Sequence, residues 1–247
     1  NFDGKLDERD KAVLTRPDGT LEVRVLGPEL RDRVKIGAAV VGACEDMAKA
    51  GHGFALWQDH KFNPQLWEPI GGGGFIIKLG VKPSEAMKDL FAHPELYEFE
   101  CLTAQIILRY QAMLTLLGPA DFDAACVDLR VGPARFEPTL GAQFEITGAG
   151  VPATDARKAE LRVGDYTYFK NWDVTPQAHA EGWQGENVVV LGGGRYYGHP
   201  FGITTGDEIV RFLDEKRTPG STRSASLIEV QGHFRSEVLA LDVTPDD

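Results

Sequence analysis

Glu98-Phe99-Glu100-Cys101-Leu102-Thr103-Ala104, continued by Gln105–Leu117 (QIILRYQAMLTLL), is the stretch on which the fold turns. Apolar residues fall at Leu102, Ile106, Ile107, Tyr110, Met113, Leu114 and Leu117. Steps of three and four place them on one helical face. The spacing predicts a helix over 98–117, stopped by Gly118-Pro119. Cys101 lies at its start, where unpaired N–H groups and the positive end of the helix dipole favour the thiolate, the nucleophilic form of cysteine. Ionised Glu98 and Glu100 act the other way and raise the thiol pKa, an arrangement that makes sense where a glutamate is the proton partner. The competing reading is a cysteine buried in a helix as a small apolar residue. Cys44 and Cys126, in Ala-rich helical contexts, read as core.

Outward from this helix, the N-terminal side begins with a strand pattern at Leu21–Val25. Pro28-Glu29 then opens a helix to about Lys49, closed by Gly51. Phe54–Trp57 is a short apolar run. The four glycines Gly71–Gly74 precede a strand and lack a following Lys-Ser/Thr, so they read as a hairpin or bulge and not as a phosphate cradle. Pro83-Ser84-Glu85 starts a short helix ending near His93-Pro94. On the C-terminal side a polar, Ala-rich stretch (121–128) gives way to strands at Tyr166–Lys170, Asn187–Leu191 and Arg195–His199, the last two joined at Gly192–Gly194. A helix over Asp207–Lys216 and a strand over Ser226–Val230 finish the pattern. The expected organisation is α+β: one compact domain over 28–230, an N-terminal extension (1–27) and a C-terminal tail (231–247).

Composition narrows the function. The chain has 247 residues and a net charge of −11, with no Lys/Arg stripe; its most basic stretch, Arg211–Arg223, is diluted by Asp214 and Glu215. A backbone-tracking nucleic-acid binder needs a basic face, so none is expected. No apolar run approaches the ~20 residues of a membrane span. Three widely separated cysteines rule out a disulfide scaffold. The opening residues Asn1–Glu8 lack an apolar signal-peptide core, and a longer parent chain is left open. The six histidines and three cysteines show no His-x₃-His or Cys-x₂-Cys spacing, so no metal or cofactor is expected. No Gly-x-Ser-x-Gly elbow is present.

Two further residues carry chemistry. His199 follows the strand Arg195–Tyr197 and precedes Pro200; Glu186 begins the preceding strand. One hairpin turning at Gly192–Gly194 brings them together, although a turn histidine and a solvated strand-end glutamate are the plainer alternatives. A thiol heading a long helix, followed by a β-rich half that carries a histidine, is a papain-like, NlpC/P60-like order of parts and implies acyl transfer through a thioester.

The residues also resemble one family. Tyr97–Ala104 is similar to the nucleophile segment of the Bacillus-type protein-glutamine γ-glutamyltransferases, the spore-coat transglutaminases. Gly164–Asn171 resembles their next block; Trp183–Val188, Tyr197-Gly198-His199 and Gly202-Ile203 resemble a third. Lys216-Arg217, Gly220 and Ser224–Leu227 also fit, and the resemblance runs from about Ile36 to Ile228. It implies a papain-like domain with Cys101 as nucleophile, Glu186 as acid/base partner, and Glu100 as a partly redundant second carboxylate. His199 takes the family's histidine position, and Phe54 and Trp183 match aromatic walls of the tunnel around the nucleophile. It also implies calcium independence, no cofactor, protein substrates bearing accessible glutamine and lysine, and spore-coat assembly as the setting. Pro200 departs from the family's usual glycine. The residues by themselves leave two rivals open: a cysteine hydrolase (a glutamine deamidase effector or a cell-wall peptidase), and a non-catalytic scaffold.

Overall fold

The computed structural model describes residues 11–15, 21–25, 28–132 and 144–235. In chain order, β1 (Lys11–Thr15) and β2 (Leu21–Val25) form a separate antiparallel hairpin. Helix α1 (Pro28–Ala50) follows, then β3 (Gly53–Phe54). The glycine-linked strands β4 (Trp67–Gly71) and β5 (Gly74–Ile77) form the expected hairpin. Next come α2 (Pro83–Ala92), β6 (Glu98–Phe99), α3 (Cys101–Leu117), α4 (Pro119–Ala125) and β7 (Arg130–Val131). The second half holds β8 (Phe144–Pro152), α5 (Asp155–Glu160), β9 (Tyr166–Lys170) and α6 (Pro176–Ala180). It continues with β10 (Gly185–Gly192), β11 (Arg195–Gly198), β12 (Gly202–Thr205), α7 (Gly206–Asp214) and β13 (Ser226–Phe234).

The main sheet has six strands in the order β12-β11-β10-β9-β13-β8, and every pairing is antiparallel. Side chains alternate across it, and each face has its own apolar cover. On one side Tyr166, Val189 and Tyr197 join Ile36, Val40, Cys44 and Met47 of α1 and Ile106, Ile107, Tyr110 and Met113 of α3. On the other, Phe169, Val188 and Leu227 pack with Ile209 and Leu213 of α7. Helix α3 is buried nearly all round, as the density of apolar residues over 102–117 demands. Cys44 and Cys126 are fully buried in the first cluster.

The structure shifts three boundaries. Glu98-Phe99 is not helical: it pairs in parallel with Gly53-Phe54, and α3 begins at Cys101. Tertiary pairing captures two residues whose local spacing fits either state. The stretch read only as polar and Ala-rich forms helix α4, opened by Pro119. The last strand runs to Phe234, beyond the Val230 end expected from pattern, because β8 continues to pair with it through His233 and Phe234. Residues 236–247 of the expected tail, and much of the expected extension 1–27, lie outside the described residues.

Candidate active site

Cys101 is the first residue of α3, and Glu100 is its N-cap. The Glu100 carboxylate accepts from the backbone N–H of Leu102, from Thr103 N (2.8 Å) and from Thr103 Oγ1 (2.5 Å). It thus satisfies donors that a helix start leaves open. Among the described residues the Cys101 N–H meets no hydrogen-bond acceptor. The Glu100 N–H donates to His60 Nε2 (3.2 Å), and His60 Nδ1 is 2.9 Å from Gly73 O. These contacts fix the ring as the Nδ1–H tautomer. The sequence does not mark His60: in Asp59-His60-Lys61 it reads as an ordinary loop histidine, and only folding carries it across 40 positions to Glu100.

Strand β10 supplies the other half. The hairpin to β11 turns through Gly192, Gly193 and Gly194, all at positive φ (83°, 60° and 73°), which glycine adopts without steric cost. The register sets Val188 opposite Gly198, and the His199 N–H donates to Glu186 Oε1 at 2.9 Å. A Cβ on Gly198 would stand 2.9 Å from that oxygen, so the glycine makes room for the carboxylate. Glu186 is only 1% exposed. Burial pushes its pKa well up, opposed by the His199 N–H and reinforced by the Glu100 charge.

Asn187, the next residue, donates from Nδ2 to Cys101 Sγ at 3.1 Å. The thiol is pushed well above its ordinary range by burial first, then by the charges of Glu186 and Glu100; the side-chain and backbone donors of Asn187 pull it down. The thiol and the carboxylate are thus both raised, and the Glu100 charge acts on each.

His199 is 3% exposed, but its ring does not serve Glu186. Nε2 lies 3.0 Å from Phe99 O and 3.2 Å from Gly53 O, tying the end of β11 to the β3–β6 pair. Burial lowers its pKa to about 4, so the ring is neutral near pH 7. It leans on Phe99 (ring centroids 5.0 Å apart) and Phe54 (6.2 Å). Phe54 stacks on Trp183 at 5.4 Å with 12° between planes, and Trp183 packs against Phe212 of α7 at 4.9 Å. All six residues expected at the site therefore belong to one connected cluster: Cys101 and Glu100 from α3, Glu186 and His199 from the hairpin, and the Phe54–Trp183 pair as its aromatic flank. Among the described residues no group of three or more His, Cys, Asp and Glu side chains is placed to hold a metal ion.

Comparison with known proteins points the same way. A family model described as protein-glutamine gamma-glutamyltransferase matches residues 27–241. The protein-glutamine gamma-glutamyltransferase of Bacillus pumilus (strain SAFR-032) is 32% identical over 200 residues, 81% of this chain and 76% of that protein. The Bacillus mycoides (strain KBAB4) protein of the same name is 32% identical over 218 residues, 88% of this chain and 74% of that one. A solved transglutaminase from Geobacillus stearothermophilus, without its C-terminal extension, superposes with a TM-score of 0.74 at 32% identity, covering 88% of this chain and 98% of that structure. The chain belongs to the protein-glutamine gamma-glutamyltransferase family.

Proposed function

We propose that the protein transfers the γ-glutamyl group of protein-bound glutamine to lysine side chains, with Cys101 as nucleophile and Glu186 as its proton partner. The observation that carries this reading is the placement of Cys101 at the head of α3 against β10, its sulfur 3.1 Å from Asn187 Nδ2, the residue next to the buried Glu186 carboxylate. The proton starts on sulfur and passes to Glu186. The thiolate attacks the γ-carboxamide carbon, and the carbonyl oxygen takes up negative charge. The Cys101 N–H, unspent on any protein acceptor among the described residues, is available to that oxyanion. Collapse of the tetrahedral adduct breaks the C–N bond. Glu186 gives its proton to the leaving nitrogen, ammonia departs, and a γ-glutamyl thioester remains.

In the second half an uncharged lysine amine attacks the thioester carbon. Glu186 takes a proton from nitrogen, the C–S bond breaks, the isopeptide leaves, and the proton returns from Glu186 to sulfur, which restores the thiol–carboxylate pair. A carboxylate that gives and takes a proton at neutral pH works best when held above its ordinary range, which burial of Glu186 achieves. Glu100, spent on the helix cap, contributes its charge and the placement of Cys101. His199 holds the Glu186 carboxylate through its backbone N–H and ties the surrounding strands through its ring.

The test is incubation with a glutamine-bearing casein and a fluorescent primary amine, following incorporation and ammonia together. Wild type releases ammonia and incorporates amine; Cys101→Ala does neither, and Glu186→Gln loses two to four orders of magnitude. Ammonia without incorporation would assign the protein to the glutamine deamidases. Cross-linking by Cys101→Ala would overturn the scheme.

A further inference from the structure

The thiolate form of Cys101 faces strong opposition. Burial and the charges of Glu100 and Glu186 all act against it, and beside the helix start it is Asn187, through its side chain and its backbone, that acts on the sulfur in its favour. An amide helps only while its NH₂ faces the sulfur. Turned over, it presents a carbonyl oxygen, which repels a thiolate. The orientation of Asn187 is therefore a functional requirement, and three residues bear on it.

Tyr166, on β9, donates its hydroxyl to Asn187 Oδ1 at 2.7 Å. The carbonyl end of the amide is thereby held on the side away from Cys101, leaving Nδ2 to donate to Sγ at 3.1 Å. Gln105, one turn along α3 from Cys101, donates from Nε2 to the Asn187 backbone oxygen at 3.1 Å and fixes the strand against the helix. Arg109, one turn further, places its guanidinium 5.3 Å from the centre of the Tyr166 ring and donates to Gln105 O. A cation on a phenol ring strengthens the hydroxyl as a donor. Burial and the Cys101 and Glu186 charges push the Tyr166 pKa up to about 12, against the pull of Arg109, so the phenol keeps the proton it donates to Asn187. The charged and titratable groups around the sulfur are then Glu100 on α3, Glu186 on β10 and the phenols of Tyr166 and Tyr168 on β9, with Arg109 behind Tyr166.

We propose that Asn187 is a third catalytic residue, the donor that stabilises the Cys101 thiolate as it forms, and that Tyr166 is the positioning residue that keeps the Asn187 amide turned the right way. The proposal rests on Cys101 being the nucleophile but not on the identity of the acyl acceptor.

The test reads the thiol directly. Iodoacetamide alkylation of Cys101 is followed against pH in wild type, Tyr166→Phe and Asn187→Leu, with the site of labelling confirmed by mass spectrometry. Cys44 and Cys126 are buried and do not compete in the folded protein. Tyr166→Phe removes one oxygen and keeps the ring under Arg109, so its fold and thermal midpoint stay near those of wild type. The expected result is an alkylation midpoint about one pH unit higher in Tyr166→Phe, a tenfold smaller thiolate fraction at fixed pH, and a larger rise in Asn187→Leu. The acylation rate falls by about the same factor in Tyr166→Phe, with KM for the glutamine substrate unchanged. An unchanged midpoint in Tyr166→Phe overturns the positioning role even if Asn187→Leu fails to fold. A folded Asn187→Leu with the wild-type midpoint overturns the catalytic role of Asn187. Both outcomes are independent of whether the wild type cross-links or deamidates, which is read separately from amine incorporation.

Discussion

The Glu100 carboxylate is bound by two backbone amides and a hydroxyl of the first turn of α3, yet its charge still reaches both Cys101 and Glu186 and raises both. Glu100→Gln keeps an acceptor for the cap and removes the charge. Both limbs of the pH–rate profile for ammonia release should then move to lower pH together, with a loss in maximum rate much milder than for Glu186→Gln. A profile that keeps its limbs would show that the Glu100 charge does not act on the pair. His199 gives a different pH signature. Its folded pKa is near 4, against 6.5 ordinarily, so the unfolded chain binds the proton first. Its contribution to stability is complete above about pH 6.5 and is lost as pH falls toward 4, by up to about 3 kcal/mol. Asp165, raised to about 6 by burial, works in the opposite direction and is common to wild type and variant. Denaturant melts between pH 4 and 7 should show a shallower acid loss in His199→Gln than in wild type. An unchanged slope would mean that the buried ring is not what the unfolded state protonates.

At the scale of elements, α3 and α7 show two uses of a cap. Glu100 caps α3 and in doing so positions the nucleophile. Thr205 caps α7 with a full capping box: its hydroxyl accepts from Glu208 N at 3.3 Å, and Glu208 returns to Thr205 N at 2.9 Å. Helix α7 carries no reacting group but backs Trp183 through Phe212. Thr205→Ala should therefore cost about 1 kcal/mol of stability, seen as a lower denaturant midpoint with an unchanged slope, and leave the acylation rate within about twofold at 25 °C. A large rate loss in the folded variant would show that α7 communicates with the nucleophile more tightly than a packing contact allows.

At the scale of the whole molecule, the sheet holds the two halves of the reaction in register. Its α1/α3 face presents Cys101 to Asn187, while Phe54 and Trp183 close the flank toward α7. Stacked aromatics beside a thioester limit water more than they limit an amine carried on a long aliphatic stem. Trp183→Ala should therefore raise the ratio of ammonia released to amine incorporated several-fold, with less effect on acylation itself. A constant ratio would place water exclusion elsewhere.

Much of this was legible in the amino-acid sequence because the signals are local. The three-and-four spacing over 102–117, the glycine turn at 192–194 and the proline starts at 28 and 83 each report on a few adjacent residues, and the ordered blocks around Cys101, Glu186 and His199 mark the family. The spacing alone places the start of α3 three residues early, because Glu98-Phe99 takes its conformation from a partner 45 positions away, at Gly53-Phe54. His60, Tyr166, Gln105 and Arg109 carry no local signal: their roles rest on hydrogen bonds and ring contacts across 21 to 82 positions, or on a cation lying over a ring from another element. The sequence by itself determined the helix that carries the thiol, the hairpin that carries the carboxylate, and the chemistry both can perform, since propensity and periodicity are properties of neighbours along the chain. Only the tertiary structure decided that the carboxylate is buried beside the residue that touches the thiol, that His199 spends its ring on backbone carbonyls, and that an asparagine amide faces the sulfur. Desolvation and hydrogen-bond direction depend on what surrounds a group in space, which no spacing along the chain encodes.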